Sequence, residues 1–251
     1  MDGMIYTTGN EQDYHFKVLF KILSLLGYRW ADKLNHLSYG MVDLPTGKMK
    51  SREGLVVDAD ELIQSMNKKA KSISESLGKI NDLSASDQNK LFKQVSLAAL
   101  KYHILKVDPK KSILFDPNES IDFNGNTGPF IQYTYARIQS ILKRAKMLKI
   151  DFKGLNFDNV KKLSVNEKRI IDLILKHRNN LIKSAETYSP SILCNYVYDL
   201  SKTYNSFYQD EKIFDGKNNE TTSFKIALSD MTSSVIRESL NTLGMDVVNK
   251  M

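Results

Sequence analysis

The sequence predicts a mainly α chain with a small α/β part at its N-terminal end and a helix bundle behind it. Three observations carry this prediction. Residues 4–9, Met-Ile-Tyr-Thr-Thr-Gly, read as a strand closed by a glycine, and a helical pattern follows it. Residues 125–146 open as a glycine-bracketed loop and continue as one amphipathic helix. From there on, apolar residues recur at spacings of three and four, which is the period of a helix with one buried face.

The helix after the first strand covers residues 14–26, with Phe16, Leu19, Phe20, Leu23 and Leu26 on one side and Gly27 as the residue that ends it. A strand, a glycine turn and a helix make a βα unit, and open α/β sheets bind ligands at such carboxyl ends. Residues 36–43 read as a second strand. Residues 44–54, Leu-Pro-Thr-Gly-Lys-Met-Lys-Ser-Arg-Glu-Gly, form a glycine-bounded turn and loop carrying Lys48, Lys50 and Arg52. Asp58 is the expected cap of a helix reaching residue 77 along Leu62, Met66, Ala70, Ile73 and Leu77. Ser86 or Asp87 is the expected cap of the next, which runs to residue 105 with Leu91, Val95, Ala98, Tyr102 and Leu105 inward. Residues 108–124 read as loop with extended pieces at 113–115 and 121–123.

Pro129 is expected at the first helical position of the central helix, where a missing N–H costs nothing. Its buried line is Ile131, Tyr135, Ile138, Leu142 and Ala145. Ser164 and Glu167 form a capping box for a helix to about residue 183. Ser189-Pro190 starts the next, with Leu193, Val197, Leu200, Tyr204 and Phe207 inward and Tyr208 divided between core and surface. The last helix follows a polar loop at 209–221 with Phe224, Leu228, Met231, Val235 and Leu240 inward, and Gly244 ends it. Two domains are therefore expected, residues 1–124 and 125–251.

Hydrophobic residues make up 41% of the 251, enough for a packed core. No apolar run approaches the roughly 18–20 residues of a membrane span, and the N-terminal residues do not resemble a signal peptide. One cysteine, Cys194, excludes a disulfide within the chain and points to a reducing, cytoplasmic home. The four histidines are scattered and no metal-ligand spacing is present. The net charge is +7, but residues 137–183 alone carry +9, thirteen Lys and Arg against four acids, and leave −2 for the rest. A basic helical surface of this kind suits a polyanion, most often nucleic acid; the plainer reading is a solvated face.

Four separated patterns resemble one family, the arginyl-tRNA synthetases. Gly125, Thr127, Gly128, Pro129, Phe130, Gln132, Tyr133, Ala136 and Arg137 are similar to its Gly-x-Thr-Gly-Pro-aromatic-x-Gln-Tyr-x-x-Ala-Arg signature. Gly9-Asn10-Glu11-Gln12 with His15-Phe16 resembles the loop at the adenosine end of its catalytic domain. Gly40-Met41-Val42 followed by Lys48-Met49-Lys50-Ser51-Arg52 resembles its version of the class I Lys-Met-Ser-Lys-Ser loop, with Lys50 in place of the first Ser and Ser51 in place of the second Lys. Tyr204 to Tyr208 and the terminal Leu243 to Met251 resemble its anticodon-binding domain. His-x-Gly-His, the other class I signature, does not occur in the 251 residues.

The resemblance implies the C-terminal part of a Rossmann-like α/β catalytic fold followed by an all-α anticodon-binding helix bundle, and a ligase that joins arginine to tRNA(Arg) at the expense of ATP. Lys48, Lys50 and Arg52 would neutralise phosphate charge as pyrophosphate leaves. Gly9, Glu11, Gln12, His15, Met49 and Ser51 would line the ATP site, with Mg2+ accompanying the nucleotide. Gln132, Tyr133, Arg137, Asn205, Tyr208 and Met251 would face tRNA, where unstacked loop bases are read by aromatic stacking and hydrogen bonds. For Gln132, Tyr133 and Arg137 the competing role is packing at the junction between the two parts. No metal site, no membrane and a monomer are expected. Without the first signature the chain is expected to bind tRNA and not to charge it. The alternatives are a stand-alone RNA-binding module derived from a synthetase and a helical protein–protein adaptor.

Overall fold

The computed structural model describes residues 2–43, 58–76, 83–153, 162–214 and 219–251. The loop carrying Lys48, Met49, Lys50, Ser51 and Arg52 lies outside them. Strand β1 (Met4–Gly9) leads through a single 3-10 turn into helix α1 (Asp13–Leu25) and pairs in parallel with β2 (Leu34–Tyr39), in the register Met4 to Leu34 and Gly9 to Tyr39. The expected second strand is split: β2 ends at Tyr39, and β3 (Val42–Asp43) pairs instead with β4 (Ile113–Leu114). Both pairings are parallel, as a sheet built through helical crossovers must be. Gly27 and Gly244 close their helices at φ +82° and +72°, a conformation that only glycine adopts without steric cost.

Helices α2 (Ala59–Ser76) and α3 (Ala85–Leu105) pack on each other through Met66, Ala70, Phe92, Val95 and Ala99. The cap of α2 is Asp58, whose Oδ1 accepts from the Asp60 N–H at 2.7 Å. The cap of α3 is Ser84, not Ser86 or Asp87: its hydroxyl accepts from the Asp87 N–H at 3.1 Å, so the helix starts a residue or two before the expected cap. Residues 121–123 are not extended. Asp116 caps a short helix, α4 (Pro117–Ser120), and the chain turns from its end into the loop before the central helix.

The central helix is α5 (Gly128–Met147), capped by Thr127, which accepts from the Phe130 N–H at 3.2 Å. Pro129 is its second residue rather than its first. Gly128 takes the first place, because a Cβ there would lie 2.4 Å from the Ala98 carbonyl oxygen of α3. The two backbones touch, and this close approach draws α3 into the bundle formed by α5, α6 (Val165–Glu186), α7 (Pro190–Asp210) and α8 (Asn219–Thr242).

The bundle core holds Ile131, Tyr135, Ile138 and Ala145 from α5, with Ile141 more deeply placed than Leu142, and Leu193, Val197, Leu200, Tyr204 and Phe207 from α7. Fully burying a side chain such as Leu200 or Phe207 stabilises the fold by about 1.5–3 kcal/mol. On α8, Met231 is exposed and Ile226 and Ile236 are fully buried in its stead, so the inward stripe is rotated from the expected one. The capping box of α6 is present in both directions, Glu167 to the Ser164 N–H and Ser164 to the Glu167 N–H.

A second core joins the C-terminal segment to α2, α3, the stretch around α4, and α5. Val248 and Met251 of the terminal segment pack with Met66, Phe92, Phe115, Ile121 and Ala136. Helix α1 contributes no buried residue, and Tyr14, Val18, Ile22 and Leu25 stand exposed along it. Cys194 is fully buried, and burial pushes its thiol up to about 12, which keeps it protonated and inert.

Candidate nucleic-acid interface

One open cleft of about 760 Å³ lies between α5, the end of α7, the segment after it and the C-terminal residues. Its floor is apolar, made by Ala136, Ile141 and Ile213, all buried. Its walls carry aromatic rings and cations. The Arg137 guanidinium lies between two rings, 4.9 Å from the centre of Tyr133 and 4.7 Å from that of Tyr208. Such contacts draw the cation to the negative ring faces. The arrangement follows from the sequence: Tyr133 and Arg137 are one turn apart on α5, and Tyr208 is on the last turn of α7.

Hydrogen bonds fix the stack from behind. The guanidinium donates to Asn205 Oδ1, and Asn205 Nδ2 donates to Thr134 Oγ1 at 2.7 Å. Thr134 in turn donates to the Phe130 carbonyl at 2.9 Å. This series leaves Asn205 one orientation, oxygen toward Arg137. A second pair lies further along the same face, with Arg144 4.6 Å over the ring of Phe214. Seven residues of helix separate the two arginines, roughly 10 Å of rise. Lys212 and Lys250 complete the lining. The acid in the wall, Glu211, accepts from Lys225 Nζ at 2.7 Å, and this bond holds its carboxyl below the ordinary range. Glu211 is thereby matched within the protein, and the cleft is positive.

The expected RNA-facing residues divide accordingly. Tyr133, Arg137, Asn205 and Tyr208 converge on the cleft. Met251 lines it too, but its side chain is buried in the second core and offers little surface. Gln132 does not reach it. It is fully buried one turn before Ala136, and its Nε2 donates to the Asp246 carbonyl at 2.7 Å, which ties the C-terminal segment to the central helix. Sequence reasoning missed Arg144, Lys212, Phe214 and Lys250. Arg144 was accessible to it, seven residues from Arg137 and so on the same face. Residues 212–214 were not, since they follow a helix end in a loop with no period.

At the other end of the molecule, Gly9 closes β1, and Glu11, Gln12 and His15 are exposed on the turn and first turn of α1 at the carboxyl edge of the sheet. His15 meets Phe16 edge-on at 5.6 Å. The residue organising this turn is His36 of β2, which no motif singled out. Its Nε2 lies 2.7 Å from Thr8 Oγ1 and its Nδ1 3.2 Å from Asp13, and its ring stacks on Phe16 at 4.4 Å. Between the two ends, Tyr102 donates to Asn126 Oδ1 at 2.6 Å and Lys106 to the Asn126 carbonyl at 3.1 Å, holding the loop before α5. His103 is buried beside this core, edge-on to Phe115 at 5.1 Å, with its Nε2 3.2 Å from the Leu114 carbonyl.

A parallel β1–α1–β2 unit thus leads into a helix bundle with a basic, aromatic cleft. Residues 1–116 match the model "tRNA synthetases class I (R), catalytic domain", and residues 131–251 match the model "DALR anticodon binding domain". The chain is 51% identical to an arginine–tRNA ligase of Flavobacterium psychrophilum over 99% of its own length and 40% of that protein's. To the arginine–tRNA ligase of Bacteroides fragilis it is 48% identical over its whole length and 42% of that protein's. The fold is similar to part of the Thermus thermophilus arginyl-tRNA synthetase, with a TM-score of 0.87 at 24% identity over all of this chain and 41% of the other. The chain belongs to the arginyl-tRNA synthetase family. It spans about two fifths of the length of these relatives.

Proposed function

We propose that the chain is the tRNA-binding part of an arginine–tRNA ligase, and that the cleft between α5 and α7 takes unstacked anticodon-loop bases of tRNA(Arg). The observation that carries this reading is the Arg137 guanidinium held between the rings of Tyr133 and Tyr208 in an open, positive cleft. Rings and a guanidinium plane are the surfaces on which splayed RNA bases stack. Tyr208 is 42% exposed, so its ring can be covered by a base without disturbing the core. Asn205 acts here through Arg137, because both ends of its amide are engaged.

In the whole ligase, the arginine carboxylate attacks the α-phosphate of ATP, pyrophosphate leaves, and the arginyl group passes to the terminal ribose of the tRNA. Lys48, Lys50 and Arg52 are the proposed phosphate contacts, with Met49 and Ser51 beside them; all five lie outside the described residues. Gly9, Glu11, Gln12 and His15 are proposed for the adenosine end, Glu11 holding the ribose hydroxyls, and Mg2+ is proposed to accompany ATP. Charging belongs to an enzyme that also carries His-x-Gly-His. We place the ligase in the cytoplasm, as a monomer, with the division between catalytic and anticodon-binding parts at residues 124 and 125.

The test is fluorescence anisotropy of labelled tRNA(Arg) titrated with the 251-residue chain. Saturable binding is expected, with Arg137→Ala weakening it by about tenfold, the scale of one lost stacked base. Equal binding by the parent and by Arg137→Ala would remove the cleft from the interface.

A further inference from the structure

A second basic groove, of about 660 Å³, lies on the opposite face of α5, about two and a half turns of helix around from Arg137 at Lys146. Lys143 and Lys146 of α5 and Lys149 and Lys153 of the following turn surround a half-buried floor of Leu142, Ile150 and Phe152. Among the described residues none of the four lysines forms an ion pair. The one acid in the lining, Asp151, is occupied locally: its Oδ1 accepts from the Lys153 N–H at 2.9 Å and its carbonyl accepts from Ser223 at 2.7 Å. That pairing also fixes the turn to α8.

The backbone supplies an independent observation. Helix α5 ends on Lys149 in the left-handed conformation, φ +54°, with its N–H donating to the Lys146 carbonyl and the Ile150 N–H to the Ala145 carbonyl. This helix-ending turn is normally built on glycine, because a Cβ there is penalised. Lysine thus occupies a position where glycine would be the easier fit, as Tyr188 does at the end of α6 (φ +51°), and the Lys149 side chain stands exposed at the rim of the groove.

We propose that this groove is a phosphate-backbone site for the RNA whose loop bases enter the aromatic cleft, with Lys149 kept at the cost of the turn for its charge. The inference rests on RNA as the partner of the chain. The flanking backbone crosses the end of α5 from one face to the other. The four ammonium groups give sequence-independent contacts, and the apolar floor carries their stems with the charges toward solvent.

The test compares the chain with Lys149→Gly, Lys149→Arg and Lys143→Ala/Lys146→Ala/Lys153→Ala, with Tyr208→Ala as the cleft control. Binding of tRNA(Arg) is followed across a salt series, together with the thermal midpoint. Lys149→Gly is expected to raise the midpoint by about 2 °C, since it relieves the turn. It should also weaken binding and lower the slope of log K against log salt by about 0.7–0.9, one phosphate contact. Lys149→Arg should bind as the parent does, and the triple variant should lose about two to three contacts from the slope. Groove variants that bind with the parent's affinity and slope while Tyr208→Ala is impaired would overturn the proposal and leave the cleft standing. Groove variants that are weakened while Tyr208→Ala is not would support the groove and remove the cleft. A parent chain that does not bind tRNA would overturn both.

Discussion

The Arg137 guanidinium of α5 donates to the Asn205 carboxamide of α7, and that bond sets where the cation sits between the two tyrosine rings. Asn205 cannot turn, because Thr134 accepts from its amide nitrogen while donating elsewhere. Replacing Asn205 by Ala should therefore free Arg137 without touching the rings. The expected result is tRNA affinity reduced by about tenfold with a stability loss of about 1 kcal/mol, the net value of an ordinary hydrogen bond. Affinity is read by anisotropy and stability by urea denaturation. A stability loss with unchanged affinity would make the bond purely structural.

Gly128→Ala should destabilise the chain by about 1–3 kcal/mol, the range for forcing atoms into packed space. The added methyl meets backbone at Ala98, and Tyr102 Cβ at 3.1 Å, neither of which can rotate away. The midpoint of urea denaturation measures this directly.

Acid should weaken the fold through His103. Burial holds the His103 imidazole below its ordinary pKa, and its Nε2 lies 3.2 Å from the Leu114 carbonyl. Below about pH 6.5 the unfolded chain takes up a proton that the folded chain resists, so stability falls as pH drops from there toward the folded value. Thermal midpoints at about pH 7.5 and 5.5 should differ more in the parent than in His103→Leu.

Amide exchange should be fastest in α1 and slowest in α5 and α7. Helix α1 buries no side chain, whereas α5 and α7 share the core through residues such as Ile138, Leu200 and Phe207. Exchange mapped by mass spectrometry that is slower in residues 13–25 than in 190–210 would contradict this.

Much of this architecture was legible in the residues. Period and caps located the helices, because Ser164 with Glu167, Ser189-Pro190 and Gly244 each act locally. What failed did so for tertiary reasons. Pro129 yielded the first helical position to Gly128 because α3 passes too close. Met231 left the core because α8 meets α5, α6 and α7 on a rotated stripe. Gln132 could not be separated from Tyr133 and Arg137 by motif alone, since neighbours on a helix point about 100° apart and only the packed C-terminal segment decides which one is covered. Arg144 and Phe214 join across a loop without period, and His36 pairs through strand register. Neither contact is visible before the chain folds.

The most direct test of the account is the affinity of the 251-residue chain for tRNA(Arg) with Tyr208 intact and replaced by Ala. Tyr208 is on the last turn of α7, exposed, with the Arg137 guanidinium over its ring. The account predicts an unchanged fold by circular dichroism and binding weakened by about 5- to 150-fold, the range of one base–aromatic stack. A Tyr208→Ala chain that folds and binds tRNA(Arg) as tightly as the parent would contradict it.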